Sequence, residues 1–253
     1  MAPHANVHVS QHPSLQAKLS QLRSASTTAK DVAALVHDIS LILACEALAT
    51  SLSPVDGPKW PEDWTQSPLQ RTCEEHGADW KSIKDITPLG FEYTSTTVGP
   101  ESISIVPILR SGLGMVQAVQ TILPVSVPVH HLGMYREPST LDPVEYYNNL
   151  PNHVPAPGAG SGASSRLAIL VDPVIATGGT CAAAIQTLRD WGAQKILVLS
   201  IIGAQQGVER AAEEWPEGTE LWIAGVDKQL TSEGMLQPGL GDIGDRLFLT
   251  IGK

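Results

Sequence analysis

Apolar residues recur at helical spacing twice near the start of the chain. Leu15, Leu19 and Leu22 share one face of a helix over residues 14–22, and Val32, Leu35, Val36, Ile39 and Leu43 share a face of a longer one. Thr28 and Asp31 stand before the second in capping-box spacing, where the hydroxyl accepts an N–H of the first turn and the carboxylate answers back. Further on the period changes. Ile103–Leu109 is a short apolar run rich in β-branched residues and ended by Arg110-Ser111-Gly112, which predicts a buried strand entering a turn. A helix carrying Val116 and Val119 follows, then a strand over 127–134 that Pro128 demotes towards a sheet edge. From Leu167 the alternation is cleaner: strand Leu167–Val171, helix Gly179–Trp191 stopped by Gly192, strand 195–202, helix 208–215 and strand 220–224. Strands alternating with helices predict βαβ units and a mostly parallel sheet. Ligands of such sheets bind beyond the carboxyl ends of the strands, which directs attention to the loops there.

Two stretches break the pattern. Residues 53–90 mix Pro, charge and the tryptophans Trp60, Trp64 and Trp80 without a sustained period, and read as an irregular insertion or surface subdomain. Its aromatics could mark a partner site, but aromatics of a long loop more often pack it onto its own body, the reading preferred. Residues 151–166 are dominated by Pro, Gly, Ala and Ser, have almost nothing to bury, and read as a mobile loop. Both are taken as parts of one domain spanning 1–253.

The chain has 253 residues, of which 42% are hydrophobic and 17% charged, a globular composition able to bury a sizeable core. With 16 Lys+Arg against 26 Asp+Glu the net charge is −10, and no basic run appears, which argues against a nucleic-acid partner. Cys45, Cys73 and Cys181 are odd in number and far apart, giving neither a disulfide framework nor a CxxC site. A reducing, cytoplasmic setting is expected. No uninterrupted apolar stretch of about 18 residues is evident, so no membrane partner is expected.

The segment that carries chemistry is Leu167-Ala-Ile-Leu-Val-Asp-Pro-Val-Ile-Ala-Thr-Gly-Gly-Thr180. A strand delivers Asp172 at its tip, a loop follows, and Thr177, Gly178, Gly179 and Thr180 open a helix. Glycines let backbone approach an anion, the first N–H groups of a helix are free donors at the positive end of its dipole, and two hydroxyls add donors. The four residues alone could equally be a plain strand-to-helix turn; with the strand and acid before them and the helix after, the phosphate cradle is the better reading. The pattern is neither a Walker A loop nor GxGxxG.

Asp172 to Thr180 resembles the phosphoribosyl diphosphate motif of type I phosphoribosyltransferases, and its Asp-Pro beginning is similar to the uracil phosphoribosyltransferase branch. Val106-Pro-Ile-Leu-Arg-Ser-Gly-Leu-Gly-Met115 is similar to that branch's diphosphate loop, Met134-Tyr-Arg-Glu137 with Pro143-Val-Glu-Tyr-Tyr147 to its flexible arm, and Pro238-Gly-Leu-Gly-Asp-Ile-Gly-Asp-Arg246 to its base-recognition loop. His12-Pro13, Lys18, Leu22-Arg23 and Glu46 also sit where the family carries such residues. The resemblance implies an α/β type I phosphoribosyltransferase fold, with a mostly parallel sheet flanked by helices, N-terminal helices and a C-terminal hood over the base. It implies transfer of the phosphoribosyl group of 5-phosphoribosyl 1-diphosphate to uracil, giving UMP and diphosphate. Asp172 would take the ribose hydroxyls, and Ala176, Thr177, Gly178, Gly179 and Thr180 the 5-phosphate, with Pro173, Val174 and Ile175 completing the donor site. Arg110 and Arg136 would meet the diphosphate through paired, charge-assisted bonds. Leu236, Gly241, Asp242 and Ile243 would line the uracil pocket, Asp242 also facing the donor. Arg110, Arg136, Asp172 and Asp242 are thus the implied catalytic set. Magnesium would arrive on the substrate rather than in a protein cage. A homo-oligomer, dimer or tetramer, is implied through the arm, whose residues 136–151 would also serve as a lid against water.

The chain departs from the family pattern at Val174-Ile175, which is tolerant core chemistry, and at Met235, Gln237 and Ile243 beside the base pocket. Ile243 would narrow that pocket. Val32-Ala33 replaces a Phe-Arg pair, and no nameable residue supports the GTP activation known in some members. A rival reading is a non-enzymatic sensor of phosphoribosyl diphosphate or a pyrimidine on the same scaffold. His4, His8 and His12 would share a helix face, but Pro3, Pro13 and the lack of a carboxylate or Cys speak against a metal site. His130 and His131 would point to opposite faces of a strand. Cys181, at a helix N-terminus, is either a lowered-pKa thiol or, as preferred, a small buried residue.

Overall fold

The runs Leu167–Val171 and Ile196–Ala204 are buried along their whole length, as strands covered on both faces of a parallel sheet must be. The computed structural model describes residues 4–56, 85–137, 143–151 and 165–250. In chain order the first half comprises β1 (Val7–Val9), α1 (Pro13–Arg23), α2 (Ala29–Ser51), β2 (Ser53–Asp56), β3 (Asp85–Ile86), β4 (Glu92–Tyr93), β5 (Thr96–Gly99), β6 (Ile103–Leu109) and α3 (Leu113–Ile122). The second half comprises β7 (Leu132–Arg136), β8 (Pro143–Asn148), β9 (Leu167–Val171), β10 (Val174–Ile175), α4 (Gly179–Trp191), β11 (Ile196–Ala204), α5 (Gln205–Glu214), β12 (Thr219–Asp227), β13 (Gln229–Leu230), β14 (Leu236–Gln237) and α6 (Ile243–Phe248).

The chain divides into two compact units, residues 52–99 and the remainder. The larger holds an eight-stranded sheet in the order β1-β12-β11-β9-β6-β7-β8, with β10 pairing β11. Its ladders are parallel except for β7 with β8. Alternate residues point to opposite faces. Val106, Ile108, Leu170 and Val198 join Ile185, Leu188 and Val208 of α4 and α5 in one core cluster. α1 and α2 pack on β12, α2 also on β11, and α3 on β6 and β9. The mostly parallel sheet flanked by helices is therefore as expected.

Several local expectations are corrected. The strand over 127–134 is β7, shifted to Leu132–Arg136, and it lies inside the sheet, the edge being β8. Pro128 precedes it, so its missing N–H removes no bond of that strand, while its carbonyl accepts from Ile105 N at 3.0 Å. At the other end of the sheet, residues 7–9 form β1 along β12, so the histidine spacing falls on no helix. His8 lies 2.6 Å from Glu220 and stacks on Trp222, while His4 lies 3.6 Å from Glu213. Residues 53–90 are not wholly irregular: β2 pairs β5 and β3 pairs β4, both antiparallel, within the smaller unit. Trp60, Trp64, Trp80 and Cys73 lie outside the described residues, as does nearly all of 151–166.

α2 starts as its spacing predicts. Thr28 Oγ1 accepts from Asp31 N at 3.3 Å, but the Asp31 carboxylate accepts a hydrogen bond from the Thr28 hydroxyl itself, at 2.7 Å. The helix runs to Ser51 and, by length and composition, is long and apolar enough to cross a membrane. Val32, Val36, Ile39, Leu43 and Ala44 on it are fully buried, which is the pattern of a core helix.

Candidate active site

Loops from the ends of β6 and β9 meet the C-terminal segment 235–244 around one cavity of about 570 Å³. That volume suits a ligand of nucleotide size. Asp172 follows the last residue of β9 and is 6% exposed. Its N–H donates to Leu199 O at 3.2 Å, and Ser111 Oγ donates to its Oδ1 at 3.4 Å. What the sequence presents as a loop after Asp172 is partly a strand. Val174 and Ile175 register with Ile202 and Gly203, and the Pro173 carbonyl accepts from Ile201 and Ile202 N–H at 3.1 and 3.0 Å. Ala176 and the turn beyond it are therefore held by the sheet before any ligand arrives.

Gly178 is the N-cap of α4 with φ 79°, a conformation that favours glycine. A Cβ there would overlap the Gly207 carbonyl at the start of α5, and a Cβ on Gly207 would overlap the Ala176 carbonyl. The two glycines let the turn seat on α5. Gly178 brings no side-chain cap to α4, and Thr177, Gly178 and Thr180 at the start of that helix line the cavity, where first-turn N–H groups suit an anion. Cys181 also lines the cavity at 1% exposure. Burial, and secondarily the nearby Asp172 charge, pushes its thiol up, so the lowered-pKa alternative is overturned and the small buried residue stands.

Arg110 follows β6 in the turn that opens α3. Gly112 makes this turn possible, since a Cβ there would overlap the Val171 and Ile108 carbonyls. The Arg110 guanidinium is 56% exposed, and Nη2 lies 3.8 Å from Asp245 Oδ1 across the cavity mouth. Arg136 ends β7 opposite Pro143 of β8, and its side chain lies outside the described residues. The arm is thus an antiparallel hairpin, with residues 138–142 outside the described set. Tyr135 and Tyr146 from its two strands line the cavity with ring centroids 6.2 Å apart.

The opposite wall is the C-terminal segment. Leu236, Gly241, Asp242 and Ile243 all line the cavity, together with Met235, Pro238 and Leu240. Asp242 is exposed and caps α6, its Oδ1 accepting from Asp245 N at 2.9 Å. Ile243 is 4% exposed. Gly239 and Gly241 take φ 67° and 77°, and two arginines pin the segment. Arg23 from α1 forms a paired bridge to Asp227, Nη2–Oδ1 2.6 Å and Nη1–Oδ2 3.0 Å, while Nη1 also donates to Gly239 O at 2.8 Å. Asp227 Oδ2 accepts from Gly239 N at 2.8 Å. Arg246 donates to Leu22 O and Leu240 O, both at 2.7 Å, and to Ser24 O at 3.0 Å, with burial lowering its pKa.

The structure therefore brings together Arg110, Asp172, Val174 to Gly178, Thr180, Leu236 and Gly241 to Ile243 on one cavity. Gly179 stands within the same turn, and Pro173 anchors it from behind through the sheet. Sequence reasoning missed Ser111, Tyr135 and Tyr146, and it missed the Arg23–Asp227 clamp. The tyrosines become legible once 143–148 is read as a strand paired with 132–136; the clamp joins residues 204 apart and carries no local signal.

The chain matches the profile of the family described as uracil phosphoribosyltransferase over residues 69–250. It is 36% identical over 245 residues to the uracil phosphoribosyltransferase of a Thermoanaerobacter species, covering 97% of this chain and 98% of that one. It is 37% identical over 246 residues to the uracil phosphoribosyltransferase of Macrococcus caseolyticus, covering 97% and 99%. Among solved structures, the AQ2163 protein from Aquifex aeolicus superposes with a TM-score of 0.72 at 25% identity, covering 96% of this chain and 98% of that one.

Proposed function

The chain belongs to the uracil phosphoribosyltransferase family, an enzyme joining uracil to phosphoribosyl diphosphate to give UMP and diphosphate, and we propose how its own residues share that work. The observation that carries the assignment is the single cavity walled on one side by Asp172 and the 176–180 turn and on the other by the 235–244 segment. The first wall suits a phosphorylated sugar and the second a flat base, and on this reading the anomeric carbon would lie between them.

The barrier lies in breaking the bond from the anomeric carbon to the diphosphate oxygen, which builds positive charge on the ribose and negative charge on the leaving group. The base nitrogen forms the new bond to that carbon, the electron pair of the broken bond leaves with diphosphate, and the nitrogen's proton passes to water. Donors already aimed at the developing charge are what such a site must supply. The 5-phosphate is held by N–H groups and hydroxyls of the 176–180 turn, at the positive end of α4. The buried Asp172 carboxylate accepts from the ribose hydroxyls. Arg110 and Arg136 meet the diphosphate, where a planar guanidinium gives paired bonds to phosphate oxygens. Backbone groups of Leu236 and Gly241 to Ile243 read the carbonyl and imide edges of uracil. The arm, with Tyr135 and Tyr146, closes the mouth against water, which would otherwise take the ribosyl group.

A magnesium ion on the substrate is part of the proposal. Among the described residues no three of His, Cys, Asp or Glu gather as a ligand set, whereas a carboxylate such as Asp172 beside a diphosphate fits an ion that keeps most of its water and substrate oxygens. Bound there, it would neutralise charge on the departing diphosphate. A homodimer or tetramer assembled through the arm and a cytoplasmic location belong to the same proposal. The exposed β8 edge supports the first and the free Cys45 and Cys181 the second. The sensor reading is not favoured. Asp172→Asn and Arg110→Ala are expected to suppress turnover while leaving the thermal midpoint within about 2 °C, a shift of under ~1 kcal/mol. Unchanged rates in both variants would remove the assigned site.

A further inference from the structure

The residues of the phosphate turn, Ala176 to Thr180, are all uncharged, although the group they are read to hold is a dianion. A cation does stand beside them. Arg210 lies on α5, one turn beyond Gly207, the glycine on which the turn seats. Its Nη1 and Cζ are 3.3 and 3.6 Å from the point where a Cβ on Gly179 would lie, with Pro143 Cδ of the arm at 3.5 Å from the same point. Gly179 is the first residue of α4, so the guanidinium stands beside the turn whose Thr177, Gly178 and Thr180 line the cavity. A side chain at this position would crowd the guanidinium, whereas glycine leaves it room. Arg210 is exposed and, among the described residues, makes no hydrogen bond or ion pair. It is thus a cation without a structural partner there, held beside Gly179 of an uncharged turn.

We propose that Arg210 is a further substrate-binding residue, which swings over the 5-phosphate once that group is seated in the 176–180 turn and supplies the positive charge the turn lacks. This rests on reading that turn as the phosphate site. A planar guanidinium suits the task, giving paired bonds to two phosphate oxygens where an ammonium gives a point contact. Because α5 carries both Gly207 and Arg210, one helix would set the shape of the turn and its charge. The neighbouring Pro143 places the arm against the same guanidinium, so donor binding and arm position would meet at this residue.

The test compares wild type, Arg210→Ala and Arg210→Lys by calorimetric titration with ribose 5-phosphate and, separately, with inorganic diphosphate, alongside steady-state kinetics. Loss of one charge-assisted contact at an exposed position is expected to weaken ribose 5-phosphate binding and raise the KM for phosphoribosyl diphosphate by about five- to tenfold. Affinity for diphosphate and the KM for uracil should stay within about twofold, and lysine should restore part of the loss. Unchanged ribose 5-phosphate affinity in Arg210→Ala overturns the inference, and so does an equal fall for diphosphate, which would mark a general field or an arm brace instead. Asp172→Asn separates the two levels. If it abolishes turnover while Arg210→Ala is silent, only this inference fails; if Asp172→Asn is itself silent, the site reading fails with it.

Discussion

Replacing Arg23 by Ala would remove the guanidinium that joins the end of α1 to the base loop. The Asp227 side chain it pairs with is 4% exposed and Arg23 itself 25%, so the variant leaves a nearly buried carboxylate with, among the described residues, the Gly239 N–H as its remaining donor. Breaking a fully buried pair from one side costs about 3–5 kcal/mol. Water reaches the Arg23 end, which lowers the expected loss to about 2–3 kcal/mol. For a chain of this size each kcal/mol moves the thermal midpoint by about 2–4 °C, so the midpoint should fall by about 4–12 °C. The same guanidinium holds the Gly239 carbonyl, and Gly239 lies between Leu236 and Gly241, loop residues assigned to uracil. The KM for uracil should therefore rise several-fold more than the KM for phosphoribosyl diphosphate. The double variant Arg23→Met with Asp227→Leu separates stability from positioning. Removing both charges should recover much of the midpoint, yet the uracil KM should stay high, because neither replacement can hold Gly239. A midpoint change under 1 °C in Arg23→Ala would refute the burial argument. Recovery of uracil KM in the double variant would refute the positioning argument.

Three further outcomes are expected. Gly178→Ala forces a side chain into φ 79° against the Gly207 carbonyl; steady-state kinetics should show an increase of at least about tenfold in the KM for phosphoribosyl diphosphate, with about 1–3 kcal/mol of destabilisation by urea titration. Native protein treated with iodoacetamide at pH 8 should be labelled at the exposed Cys45 and not at Cys181, whose thiol burial keeps protonated, and peptide mass analysis after unfolding should then find both modified. The Lys18 ammonium, 2.7 Å away, holds the Asp38 carboxyl below its ordinary 3.8. A depressed folded pKa contributes stability that is full above the unfolded value and is lost as pH falls through the folded one. Asp38→Asn should thus cost under ~1 kcal/mol at pH 7 and progressively less as the pH falls below 3.8, read from thermal midpoints across that range.

The βαβ alternation and the two segments that wall the cavity, 172–180 and 235–244, were legible because each is local. Leu167–Val171 is uniformly apolar where both faces are covered, and Thr177 to Thr180 carry their glycines in sequence. The interior position of β7 was not legible, since edge or interior depends on what pairs beyond it, and its partner β8 was read only as an arm. Pro128 misled because its missing N–H falls before the strand. β1 was hidden in a polar terminus of three ordinary strand residues, stabilised by a parallel partner more than 200 positions away. α2 outran its predicted face because Ala44, Ala47 and Leu48 continue the buried stripe past Leu43. The Arg23–Asp227–Gly239 clamp and the place of Arg210 beside Gly179 are products of tertiary folding alone.

The central claim is that one cavity brings a phosphoribosyl donor and uracil together for transfer. Its most direct test is the conversion of labelled uracil in the presence of phosphoribosyl diphosphate and magnesium by the purified protein. Stoichiometric appearance of labelled UMP and diphosphate, abolished in Asp172→Asn, is the predicted result; measurable donor binding with no UMP formed would contradict it.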